Sequence, residues 1–98
     1  MTIQKTIQNQ TLTVMPEGRL DTITAPQLES ELRSSLGGIT ELIFDLDKLV
    51  YISSAGLRVL LSAQKTMNKQ GSMILLNVRP EIMEILEITG FADILTIR

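Results

Sequence analysis

Between Glu41 and Met67 the apolar pattern of the chain changes period once. "ELIFDLDKLVYI", from Glu41 to Ile52, is a nearly continuous apolar run, whereas Gly56, Leu60, Ala63 and Met67 recur at helical spacing. A strand apolar on both sides needs cover on both faces, as a central parallel strand has. A helix that follows it directly must then cross over to deliver the next parallel strand. This junction selects an α/β architecture over a helical bundle or a sandwich.

The flanking segments extend the same plan. Ile3, Ile7, Leu12 and Val14, interrupted by "QNQ", predict two short strands joined by a turn around Asn9, with Gly18 and Asp21 in the connection that follows. Thr24 and Gln27 have capping-box spacing, Pro26 suits a first helical turn, and Leu28, Leu32 and Leu36 form one stripe of a helix ended by Gly37 and Gly38. The second helix turns Arg58, Ser62, Lys65 and Lys69 away from its apolar face and stops at Gly71. "SMILLNV" reads as a strand. "RPEIMEILEITG" reads as a helix with Ile82, Ile85, Leu86 and Thr89 inward and Gly90 at its end, and "ILTIR" as a closing strand. The order is β-β-α-β-α-β-α-β: one α/β domain over residues 1–98, its mixed, mainly parallel sheet packed with helices through right-handed crossovers.

Several classes of function are excluded by what is missing. With no cysteine and no histidine, the chain has no thiolate, no disulfide, and neither the commonest general base nor the commonest metal ligand. A formal charge of -2 gives no general attraction to nucleic acid or anionic lipid, so neither nucleic acid nor membrane is an expected partner. No apolar targeting core or membrane-length run is present, which points to a cytoplasmic protein. No cofactor or metal is expected.

Chemistry concentrates at "YISSAGLRVLL", Tyr51 to Leu61, where strand gives way to helix. In α/β sheets the loops beyond the carboxyl ends of the strands form the working face. Ser53 or Ser54 there suits a helix N-cap. Either serine also suits phosphorylation, because a helix N-terminus offers free N–H donors to the added charge, with Arg58 one turn beyond Ser54. A catalytic serine lacks a histidine partner, and "SSAG" is not a nucleophile elbow. Asp21, Asp45 and Asp47 raise a Mg²⁺ site as an alternative, if the fold brings them together.

These residues resemble the STAS domains, and within them the bacterial anti-sigma factor antagonists. The resemblance rests on "GRLDTITAPQLESEL" (Gly18 to Leu32), "LIFDLDKLVYISSAGLRVLL" (Leu42 to Leu61) and "GFADIL" (Gly90 to Leu95), and spans nearly the whole chain as a single STAS domain. Aligning the family's Gly-Leu with Gly56 and Leu57 implies Ser54 as the phosphoacceptor, with Ser53 where aspartate is usual and as the alternative acceptor. Asp21 matches the family's loop aspartate. The resemblance implies a partner surface of Asp21, Ser53, Ser54, Ala55, Gly56, Leu57 and Arg58; Met83 and Ile88, apolar residues near the second and third helices, either widen that contact or serve as secondary core packing. It implies partner switching: the unphosphorylated chain binds an anti-sigma factor serine kinase of the GHKL ATPase type and frees a sigma factor. Phosphorylation then releases the kinase, and a PP2C-type phosphatase resets the system. The chain would catalyse nothing and be a monomer when free. A constitutive regulatory subunit of a transporter or lipid-trafficking complex is the alternative, since STAS domains occur there too.

Overall fold

The computed structural model describes every residue from Met1 to Arg98. β1 (Thr2–Gln8) and β2 (Thr11–Leu20) form an antiparallel hairpin. Its turn holds Asn9 at φ 58°, a left-handed conformation that asparagine tolerates.

β2 outruns the strand predicted up to Val14 because it serves two neighbours in turn. Thr11 to Val14 pair in parallel with β3 (Glu41–Asp45), and Gly18 to Leu20 pair in parallel with β4 (Leu49–Ile52). The register slips between Gly18 and Arg19, and Gly18 sits at φ 101°, a bulge conformation that glycine adopts without strain. Gly18 therefore lies inside a strand and not in a connection. Pro16 is tolerated in β2 because it falls in the gap between β3 and β4, where its missing N–H forfeits no bond on that side.

The single strand predicted over Glu41 to Ile52 is thus two strands. At the break the Asp45 carboxylate accepts from the Asp47 N–H at 3.1 Å, and the Leu49 N–H donates to the Leu46 carbonyl at 3.1 Å. Leu46 and Leu49 are both fully buried and flank the exposed Asp47 and Lys48 of the turn, so the core stays continuous across the break. β3 is also one-sided: Leu42 and Phe44 are fully buried, while Glu41, Ile43 and Asp45 between them are half-exposed.

β5 (Ser72–Leu76) completes the order β1-β2-β3-β5, with β4 beside β2 and all pairings parallel except β1 with β2. Leu12, Val14, Leu42, Phe44, Met73 and Leu75 lie on one face of the sheet and join a single core. α1 (Ala25–Ser35) buries Leu28 and Leu32, with Leu36 at its end, and α2 (Ser54–Gln70) buries Gly56, Leu60, Ala63 and Met67, as their spacing predicts. α3 (Pro80–Ile88) buries Ile82 and Leu86 and packs on β4. Thr89 does not point inward as predicted. It is exposed, and its hydroxyl satisfies the helix end by donating to the Ile85 carbonyl at 2.7 Å.

The closing strand is likewise absent as a strand. After a 3₁₀ turn at Phe91–Asp93, Leu95 is drawn into the core and only a bridge between Leu75 and Ile97 reaches β5. No helix is long and apolar enough to cross a membrane.

Candidate functional site

β4 delivers the two serines to the carboxyl end of the sheet. Ile52 pairs with Leu20, and the Ser53 N–H extends that ladder by donating to the Leu20 carbonyl at 2.9 Å. Ser53 then leaves the strand with φ -97° and ψ 177° and acts as N-cap of α2: its hydroxyl accepts from the Gly56 N–H at 3.4 Å. The cap and the exposed hydroxyl are therefore divided between neighbours. Ser53 is half-buried and turned to the backbone, whereas Ser54 is the first helical residue and is exposed.

Gly56 makes this entry close. A Cβ there would lie 2.7 Å from Leu20 Cγ and 2.8 Å from Ile52 Cγ1, so only glycine lets α2 start against the strand ends. Leu57 is buried behind it, Ala55 is half-buried and Arg58 is exposed. Of the motif, Ser54 and Arg58 form surface, while Gly56 and Leu57 face inward and hold that surface in place.

Asp21 is brought to the same end by the Leu20 pairing, one residue beyond the carbonyl that Ser53 engages. Its Oδ1 accepts from the Ile23 N–H at 3.0 Å and the Thr24 N–H at 3.1 Å. These bonds, the Thr24 N–H foremost, hold its carboxyl below the ordinary carboxylate range, with Arg19 adding a smaller pull. Because the folded value is the lower one, this contribution is complete above the ordinary range and fades as acid carries the pH down through the folded value. Asp21 thereby displaces the expected Thr24 and Gln27 capping box. Thr24 instead donates to the Arg19 carbonyl at 2.7 Å, and Gln27 reaches the Met1 carbonyl at 3.1 Å.

Arg19 and Tyr51, which the motif reading missed, tie this loop to β4. The Arg19 guanidinium lies 4.2 Å above the Tyr51 ring and 3.8 Å from the Asp21 carboxylate. The two are distant in sequence and meet only through the β2–β4 pairing, so no local signal marks them. Between the first turns of α1 and α2, Ala25, Pro26, Glu29, Ala55 and Arg58 line a shallow cleft of about 210 Å³.

The aspartate alternative does not assemble. Asp45 is occupied by the Asp47 N–H and by Asn77 Nδ2 at 3.0 Å, and Asp21 by its own loop. No group of three potential acidic, histidine or cysteine ligands comes together.

Ser53→Ala is expected to remove the cap and lower stability by up to about 1 kcal/mol while leaving the Ser54 hydroxyl in place. Thermal denaturation followed by circular dichroism measures the first effect, and phosphate incorporation measures the second.

The family profile described as STAS domain matches residues 2–98. The protein BtrV of Bordetella bronchiseptica, provisionally named an anti-sigma factor antagonist, is 40% identical over 80 residues, covering 80% of this chain and 69% of its own length. The anti-sigma-B factor antagonist of Staphylococcus aureus is 29% identical over 97 residues, covering 97% of this chain and 90% of its own. Among solved structures, an anti-sigma factor antagonist from Mycobacterium paratuberculosis superposes with a TM-score of 0.88 at 21% identity, over 98% of this chain and 83% of that one. The same fold matches a segment of the murine Slc26a9 anion transporter with a TM-score of 0.73 at 16% identity, over 85% of this chain and 14% of the transporter.

Proposed function

The chain belongs to the STAS domain family, and from that membership and the site we propose that it is an anti-sigma factor antagonist switched by phosphorylation of Ser54. The unphosphorylated chain binds an anti-sigma factor that is also a GHKL-type serine kinase, and the kinase gives up its sigma factor. The kinase transfers phosphate from its own ATP to Ser54 and lets go, and a PP2C-type phosphatase restores the hydroxyl. The chain binds and is modified, and catalyses nothing itself.

The observation that carries this reading is the division of labour between the two serines. Ser53 supplies the cap, so Ser54 is exposed on the first turn of α2 and free to take a phosphate without unfolding the helix. The helix N-terminus and Arg58 favour the added charge within the chain. A partner that covers the neutral hydroxyl must instead desolvate a dianion. A hundredfold loss of affinity corresponds to about 2.7 kcal/mol, which a misplaced dianion supplies without a change of fold. The relatives support the same reading over the transporter-subunit alternative, because both are named antagonists and match most of the chain, whereas the transporter likeness is one of fold alone.

The test is to form the complex of this chain with its kinase and then add ATP. The complex is expected to be stable with ADP and to dissociate as phosphate enters the chain. Persistence of the complex after stoichiometric phosphorylation would refute the switch.

A further inference from the structure

α2 carries three cations, Arg58, Lys65 and Lys69, and no acidic residue along its 17 positions. At about 100° per residue, Ser54, Lys65, Arg58 and Lys69 fall at about 0°, 20°, 40° and 60° around the helix, a straight stripe about 22 Å long. All four are exposed, so the candidate acceptor heads a basic line on the surface. Off α2, four of the six cations are paired, Lys48 and Arg98 being the exceptions. Lys5, Arg19, Arg33 and Arg79 lie against Glu31, Asp21, Glu29 and Glu81, whereas none of the α2 cations has a carboxylate partner. A solvated face on a chain of net charge -2 ordinarily mixes both signs, and this one does not.

We infer that the stripe extends the Ser54 surface and docks an acidic face of the partner kinase; the inference rests on the phosphorylation reading for the identity of that partner. A protein face fits better than a lipid surface. Membrane-binding helices need apolar side chains to insert, and the exposed large apolar residues, Ile7, Ile23, Val50, Tyr51, Ile88 and Ile94, all lie off α2. The stripe also gives phosphorylation a second lever. A phosphate on Ser54 adds about two negative charges at the head of a line carrying three positive ones, one turn from Arg58. Release then follows from lost attraction along α2 as well as from repulsion at the serine.

The test compares wild type with Lys65→Glu/Lys69→Glu for binding to the purified kinase that phosphorylates this chain, at low and at high salt. The double variant is expected to bind about tenfold more weakly at low salt, with the difference closing as salt screens the charges. Lys48→Glu/Arg98→Glu, which reverses two unpaired cations off α2, is expected to bind like wild type, and both variants are expected to melt like wild type. Equal binding of the α2 variant and wild type at low salt would overturn the inference and leave the Ser54 reading intact. So would equal losses in both double variants, or, with binding to phosphatidylglycerol vesicles measured in parallel, a loss seen for the vesicles and not for the kinase. Failure to find in the chain's own cells any kinase that binds the wild type and phosphorylates it would overturn both together.

Discussion

Gly71→Ala is expected to cost about 3–5 kcal/mol of folding stability and to lower the melting temperature by about 15 °C or more. Gly71 ends α2 and turns the chain into β5 directly against the backbone of Thr40. A Cβ there would lie 1.8 Å from the Thr40 carbonyl oxygen, 2.6 Å from its carbon and 2.9 Å from its Cα. None of these is the end of a flexible side chain. Thr40 is also held in place: its N–H donates to the Gln10 carbonyl at 2.9 Å, and its own carbonyl accepts from the Ser72 N–H at 3.0 Å. The φ of 170° at Gly71 is extended backbone open to any residue, so the cost comes from space alone. Gly37→Ala is the control, since no atom lies within 4 Å of a Cβ at that position, and it is expected to melt like wild type. Circular dichroism melts of both variants decide the matter. A Gly71→Ala protein that melts like wild type would mean that α2 does not enter β5 against Thr40.

Ser54→Ala is expected to reduce phosphate incorporation to background and leave the chain bound to its kinase in the presence of ATP. Ser54→Asp is expected to weaken that complex, though by less than phosphate does, because one negative charge replaces about two. Neither variant is expected to move the melting temperature appreciably, because Ser54 is exposed and the cap belongs to Ser53. Ser53→Ala gives the reverse pattern, a stability loss with phosphorylation retained. Opposite responses of adjacent serines separate a modified surface from a helix cap within one experiment. Equal affinity of the alanine and aspartate variants for the kinase, measured by titration calorimetry, would remove the electrostatic basis of the switch.

The helices were legible because each writes its buried stripe at helical spacing and ends in glycine. Leu28 and Leu32, Gly56 to Met67, and Ile82 and Leu86 are buried as that spacing predicts. The β4–α2 junction was legible for the same reason. The division of Glu41 to Ile52 was not, since Leu46 and Leu49 on either side of the turn are as buried as Leu42 and Phe44 in β3. Burial is a tertiary property, and the Asp45 side chain that closes the turn resembles any other strand-end aspartate until Asp47 and Asn77 are placed against it. The Asp21 cap is local, bonding Ile23 and Thr24, and was hidden by the competing Thr24–Gln27 spacing; the Arg19–Tyr51 stack and the bulge at Gly18 share another cause. Both depend on β2 exchanging β3 for β4 as its neighbour, a pairing between distant segments that no periodicity records.

Phosphorylation of Ser54 is decided by site-resolved mass spectrometry of the chain isolated from its own cells, with phosphatases inhibited during lysis. A population carrying one phosphate, placed on Ser54, is expected, its share rising and falling with growth and stress. Phosphate confined to Ser53, or none on either serine under every condition, would contradict a switch at Ser54 and leave the pair as a helix cap and its neighbour.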